Sequence, residues 1–194
     1  MISTQKDQKR TIIREAATKL FAEKGFENVT TRNISSAANI SNAALYYYFD
    51  SKEELLYQIL DEAMGKGLEQ IHLIEKSNLS RKKKLSAYLR MHATSAVDYN
   101  KMKLLVENQK SLSPQHQRAL EKKQSKYVKK LVDILNELKR EGELVDLDTK
   151  VCAFAFFGMV SWAYRWYDPD GKITPEQLSE TMHYVFTRGV FKGR

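Results

Sequence analysis

Apolar side chains recur along this chain at intervals of three and four, and no stretch alternates in twos over a strand's length, so the pattern predicts helices throughout. Ile13, Ala16, Ala17, Leu20 and Phe21 make one stripe and Gly25 follows as a stop, which gives an amphipathic helix over residues 6–24. Thr30 is a good N-cap for a short helix carrying Ile34, Ala37 and Ala38. Asn39 tolerates the left-handed conformation that a tight turn demands. Ser41 then caps a helix of barely two turns ending near Tyr48. In Ser51-Lys52-Glu53-Glu54 a serine has glutamate three residues on, the capping-box pattern, which opens a long fourth helix to about Lys76.

The later signals are less diagnostic. Ser80 caps a predicted helix to Asn100, and a shorter one covers Met102 to Gln109. Ser113-Pro114 opens a long helix that stops at Gly142. Asp148 caps an apolar helix, Thr149 to Tyr167, Asp168-Pro169-Asp170-Gly171 reads as a turn, and Thr174-Pro175-Glu176-Gln177 opens a last helix to Phe191. The apolar run Val151 to Tyr164 falls short of the roughly 20 residues a bilayer span needs. A helix apolar nearly all round is buried on most sides, and Gly158 within it points to the close approach of another helix. On the last helix Leu178, Met182, Val185, Phe186, Gly189 and Val190 share a stripe.

Composition agrees with a helical globular chain: 194 residues, 42% hydrophobic and 29% charged, with only eight glycines and three prolines to break helices. The formal charge of +8 suits a polyanionic partner, whether nucleic acid, an anionic membrane surface or a phosphorylated ligand. Its distribution is uneven. Residues 1–52 hold eight basic side chains against five acidic, a balance of +3, whereas residues 81–140 hold sixteen against five, a balance of +11. The polar start, Met1 to Arg14, reads as no secretory signal, and Cys152, the single cysteine, excludes an internal disulfide and suits a reducing compartment, so the expected location is cytoplasmic. His72, His92, His116 and His183 fall on four predicted segments without metal-ligand spacing, and there is no nucleophile elbow or phosphate-cradling glycine loop. No catalytic residue, metal or cofactor is expected.

The short third helix carries the clearest chemistry. A rotation of 100° per residue puts Leu45 and Phe49 on one side and turns Ala43, Ala44 and Tyr47 the other way, with Tyr46 and Tyr48 at the rims. Three consecutive tyrosines cannot all be buried in so small a helix, and phenolic hydroxyls donate well to phosphate oxygens. A packed three-helix bundle with tyrosines as surface decoration is the bland alternative.

Ser41-Asn42-Ala43-Ala44-Leu45-Tyr46-Tyr47-Tyr48-Phe49, followed by Ser51-Lys52-Glu53-Glu54-Leu55, resembles the recognition helix and fourth-helix start of TetR-family repressors. The match covers roughly residues 8–60 and takes in Ala16-Ala17, Leu20-Phe21, Gly25-Phe26 and Thr30-Thr31. The resemblance implies an all-α, TetR-like fold of about nine helices. It divides the chain into a helix-turn-helix domain at residues 1–52, with the helix from Lys52 as connector, and a body at 53–194 for ligand binding and dimerisation. Thr31, Arg32, Ser41, Asn42, Ala43, Ala44, Tyr46, Tyr47 and Tyr48 would then lie in or beside the major groove of double-stranded operator DNA, with Lys52 on a phosphate. Two departures bear on readout: Asn39 stands where the family often has glycine, and Ala44 where it often has a hydroxyl residue. Base reading then leans on Asn42 and Arg32, while the modest charge of the head implies few phosphate contacts and a moderate salt slope.

Trp162, Tyr164, Arg165, Trp166 and Tyr167 resemble the C-terminal domains of family members that respond to acyl-coenzyme A thioesters in fatty-acid or steroid breakdown. A guanidinium beside two indoles suits a nucleotide, Phe154, Phe156 and Phe157 suit an acyl tunnel, and the basic middle segment, Arg90 included, adds charge for a polyanion. The expected ligand-binding residues are therefore Arg90, Phe154, Phe157, Trp162, Arg165 and Trp166, and the expected effector is a long-chain acyl-coenzyme A. A different hydrophobic effector stays open, as does a membrane-surface or scaffold role for Lys82-Lys83-Lys84 and Lys122-Lys123. The family also implies a homodimer built from the last two helices, matched to a palindromic operator.

Overall fold

A computed structural model describes residues 5–95 and 98–192, with backbone alone at residue 99. Nine α-helices account for most of these: α1 (Gln5–Lys24), α2 (Thr31–Ala37), α3 (Asn42–Tyr48), α4 (Lys52–Lys76), α5 (Arg81–Ser95), α6 (Tyr99–Glu107), α7 (Pro114–Arg140), α8 (Thr149–Ser161) and α9 (Pro175–Val190). The punctuation read from the sequence takes effect where expected. Gly25 and Gly142 end α1 and α7 at φ of +79° and +77°, and Asn39 turns the chain between α2 and α3 at φ +52°.

Three elements differ in detail, each for a local reason. The predicted helix over 80–100 ends at Ser95 and the next, expected from Met102, starts at Tyr99, because Asp98 Oδ1 caps it by accepting the Lys101 N–H at 3.2 Å while the Ser95 hydroxyl turns back onto the Met91 and His92 carbonyls. Positions 96 and 97 lie outside the described residues. The apolar helix stops at Ser161 rather than Tyr167, since a 3-10 turn over Ala163–Arg165 tucks Ala163 and Tyr164 into the core. At the start of α4 the capping box is half made. Ser51 Oγ accepts the Glu54 N–H at 2.9 Å, but the Glu54 carboxylate reaches forward to Gln58 Nε2 at 2.7 Å.

One hydrophobic core runs from the small α1–α3 bundle, through Ile13, Phe21, Leu45 and Phe49, into the body at Leu56, Tyr88, Leu135, Phe156 and Phe186. In the body α4 packs on α7 and α5 on α9, and α1 docks against α6. A polar contact reinforces that docking, Lys103 Nζ donating to the Ala22 carbonyl at 2.7 Å, and α1 is tied to α4 by Arg14 Nε 3.1 Å from Glu62 Oε2. A second joint ties the first turn of α4 to the first turn of α7. There His116 stacks on Tyr57, ring centroids 3.9 Å apart and planes nearly parallel, with Nδ1 2.8 Å from Glu53 Oε1 and Nε2 3.4 Å from Glu54 Oε2. Burial pushes the Glu53 carboxyl up, but the Ser113 N–H and His116 together hold it below the usual carboxylate range.

No helix among the described residues is long and apolar enough to cross a membrane. The basic stretch over 81–140 is largely matched by acids and carbonyls of its own chain. Arg81 pairs with Glu137 and Glu141, Lys82 with Glu143, Lys123 with Asp61 and Lys130 with Glu75, while Lys84 Nζ donates to the Glu75 carbonyl at 2.7 Å.

Candidate nucleic-acid interface and effector cavity

The seating of α3 follows from its two anchors. Leu45 and Phe49 are fully buried, which leaves the opposite side of the helix to solvent, with Tyr47 70% and Tyr46 49% exposed. Ser41 Oγ accepts the Ala44 N–H at 3.0 Å. Ahead of it, Thr30 and Asn33 form a reciprocal capping box at the start of α2, which brings Thr31 Oγ1 to 3.4 Å from the Tyr46 hydroxyl. Arg32 and Ala43 are exposed beside them, while Asn42, Ala44 and Tyr48 are half-buried. The Tyr47 and Tyr48 rings meet edge to face at 5.1 Å, and Lys6 Nζ lies 5.2 Å from the Tyr47 centroid, adding a cation to this face that the sequence reading passed over.

Two predicted DNA contacts have local partners. Lys52 is half-buried, its Nζ donating to the Phe26 carbonyl at 2.7 Å and standing 4.2 Å over the Phe26 ring. An ammonium has three N–H donors, so this contact leaves two for a phosphate. Asn42 Oδ1 is buried without a hydrogen-bond partner. Such an atom is costly in the free protein and cheap to recruit once a donor arrives.

The body holds a cavity of about 1070 Å³ bounded by α1, α4, α5, α6, α7 and α8. Ile59, Met64, Met102, Leu105, Val128 and Phe157 supply apolar wall. Exposed or half-exposed charges rim it, Arg14, Lys66, Lys101, Lys129 and Lys150 interleaved with Glu15, Glu62, Asp98 and Glu121. Thr11, Arg14, Glu15 and Thr18, all on α1, belong to the wall, so the α1–α3 bundle shares residues with the cavity.

Of the six residues expected to bind ligand, Phe154 and Phe157 line this cavity and the other four do not. Arg90 makes a bidentate pair with Glu180 across α5 and α9. Trp162 and Trp166 are 59% and 52% exposed. Arg165 stands 4.7 Å over the Trp162 ring and 3.6 Å from Glu107 Oε1, a cluster on the outer surface. Phe156 is buried in the core against Phe186, not in the cavity wall. The sequence reading missed His92 and Tyr127, which face the cavity from α5 and α7. One signal was available: Gly67, in the middle of a long helix, where a glycine weakens the helix unless packing requires it.

A capped short helix presented on a three-helix head, carried by a helical body that holds a cavity, is the architecture of a helix-turn-helix DNA-binding regulator. Comparison with known proteins gives the particular family. Residues 13–59 match the family described as bacterial regulatory proteins, tetR family, and residues 78–190 match the tetracyclin repressor-like C-terminal domain. The chain belongs to the TetR family. It is 30% identical over 189 residues to the HTH-type transcriptional repressor KstR2 of Rhodococcus jostii, covering 90% of this chain and 87% of that one. It is 26% identical to the fatty acid metabolism regulator protein of Bacillus subtilis, covering 96% and 97%. Among solved structures, AibR in complex with isovaleryl coenzyme A and operator DNA superposes with a TM-score of 0.82 at 26% identity, covering 91% of this chain and 97% of that one.

Proposed function

We propose that this chain is a ligand-responsive transcriptional repressor that binds a palindromic operator as a homodimer and is released by an acyl-coenzyme A thioester. The observation that carries the reading is the shared wall. α1 of the reading head and the connecting helix α4 both line the cavity, so a ligand that fills it acts on the residues that set where α3 sits. DNA is read by Thr31, Arg32, Ser41, Asn42, Ala43, Ala44 and Tyr46 to Tyr48, with Lys52 on a phosphate.

The apolar outer face of α8 and α9 supports the homodimer. Val151, Trp162, Tyr184 and Val185 are all exposed in the single chain, and a Cβ at Gly158 or Gly189 would meet nothing within 4 Å. The α9 stripe divides accordingly. Leu178, Met182, Phe186 and Val190 are buried within the chain, while Val185 and Gly189 face outward. AibR, whose structure holds isovaleryl coenzyme A, supports the effector class. In this chain the acyl part would enter the apolar interior and the nucleotide would stay at the charged rim. A hydrophobic effector without the coenzyme A nucleotide is the second reading, favoured by the four rim carboxylates and by the placement of Arg90, Trp162, Arg165 and Trp166 away from the cavity.

Fluorescence anisotropy on a duplex carrying the DNA upstream of the protein's own gene tests both readings, with octanoyl- and palmitoyl-coenzyme A and the free acids as additives. Tight binding that only the thioesters release upholds the proposal. Release by the free acids selects the second reading, and DNA that never binds rejects the repressor.

A further inference from the structure

Deep in the cavity, on the reading that it is the effector site, two polar side chains are joined to each other in apolar surroundings. Tyr127 lies with its ring on α4 at Gly67, where an added Cβ would stand 2.8 Å from Tyr127 Cε2, so the glycine is what lets the ring bed there. The Tyr88 hydroxyl donates to the Tyr127 carbonyl at 2.9 Å and fixes this stretch of α7. The Tyr127 hydroxyl is 2.9 Å from His92 Nδ1, and Phe157 meets the His92 ring edge to face at 4.9 Å. Burial pushes the His92 imidazole down to about 4, so it is neutral at pH 7.

Hydrogen counting then identifies what is missing. A neutral imidazole has one N–H and a phenol one O–H, and the bond between them uses one of these two hydrogens. Whichever tautomer is present, the other hydrogen has no acceptor among the described residues, while both side chains face the cavity. A donor that faces the cavity takes its acceptor from whatever fills that space, so a ligand that supplies an acceptor is favoured over one that displaces water and supplies none. Apolar wall alone cannot make that distinction.

We propose that the His92–Tyr127 pair is a specificity site for an oxygen atom on the buried part of the effector, a carbonyl or hydroxyl that takes the second hydrogen, so that the cavity selects an oxygen-bearing chain over a plain hydrocarbon. The effector class narrows to acyl or related chains whose carbonyl or hydroxyl reaches this depth.

The test uses the full chain with 2-nonanone and 1-nonene as probes. Removing both hydrogens in the double variant His92→Phe/Tyr127→Phe should weaken 2-nonanone about tenfold while 1-nonene stays within about twofold. In the wild-type protein the infrared carbonyl band of bound 2-nonanone should lie below its position in hexane, a readout that does not depend on the variant folding. An unshifted band, a ketone that does not bind, or equal losses for both probes overturns the proposal. Octanoyl-coenzyme A separates this inference from the function above: a lowered ketone band with octanoyl-coenzyme A unable to displace the ketone upholds the pair and rejects the thioester.

Discussion

The outer side of α3 and the cavity of the body are the two candidate binding surfaces, and they are assembled in opposite ways. The α3 surface is made by consecutive residues on one short helix, and two anchors, Leu45 and Phe49, determine which side faces out. The cavity draws its walls from six helices, from Thr11 on α1 to Ser161 at the end of α8, and no single stretch of sequence contains it. A surface built locally is fixed by periodicity and capping. A concave site is fixed by how helices pack, and the same residue types face inward or outward according to neighbours far along the chain.

The comparison breaks most forcefully at Leu45. Leu45→Ala removes a fully buried anchor and should cost about 3 kcal/mol in chemical denaturation, with operator binding lost. If the two surfaces are separately built, 2-nonanone should still bind this variant under native conditions with wild-type affinity. A parallel loss of ketone binding would make the head and cavity one folding unit, as their continuous core permits.

On the cavity side the corresponding probe is pH. His92 is held near 4 in the folded chain against about 6.5 when unfolded, so below pH 6.5 the unfolded chain takes up a proton that the folded one refuses. Stability present above pH 6.5 is therefore lost as the pH falls toward 4, by about 2 kcal/mol at pH 5 from this group alone. Melting curves of His92→Phe should show a correspondingly shallower decline between pH 6.5 and 5 than the wild type. Equal declines would mean that the imidazole is hydrated through the cavity rather than buried.

How much was legible follows from the same contrast. Asn39, Gly25, Gly142 and the caps at Thr30, Ser41, Ser113 and Thr174 act on their own neighbours, so the order of helices and the outward side of α3 could be read directly. The aromatic run from Trp162 to Tyr167 could not. A break after Ser161 starts a 3-10 turn that sends Tyr164 and Tyr167 inward and Trp162, Arg165 and Trp166 outward, a division that helical spacing does not foresee. Arg90 was read as ligand charge, but its partner Glu180 is ninety residues away. His92 and Tyr127 were silent for the same reason: on separate helices they resemble ordinary core residues, and only their juxtaposition gives them chemistry.

A smaller effect sharpens the account of base reading. Asn42→Ala should cost about 1.5 kcal/mol of operator affinity, confined to one base pair in a panel of substituted duplexes. Because Asn42 Oδ1 has no partner in the free protein, the same variant should melt no lower than the wild type. Uniform loss across all duplexes would reassign Asn42 to backbone contact.

The least costly change bears on how the two surfaces communicate. His116 faces a carboxylate oxygen with each ring nitrogen and stacks on Tyr57, which clamps the first turn of α4 to α7 immediately behind the reading head. If α4 transmits cavity occupancy to α3, this clamp resists rotation of its head end, and its removal should loosen the link without touching either binding surface. His116→Ala should lower stability by only about 1 kcal/mol, since the joint is partly solvent-exposed. Affinity for operator without effector, and for effector without operator, should each stay within about twofold, while the factor by which the effector weakens operator binding should shrink. Measuring all four corners of that cycle isolates the coupling. An unchanged coupling factor would shift the load to the α1 wall, where Arg14 and Glu62 offer the other direct route from cavity to head.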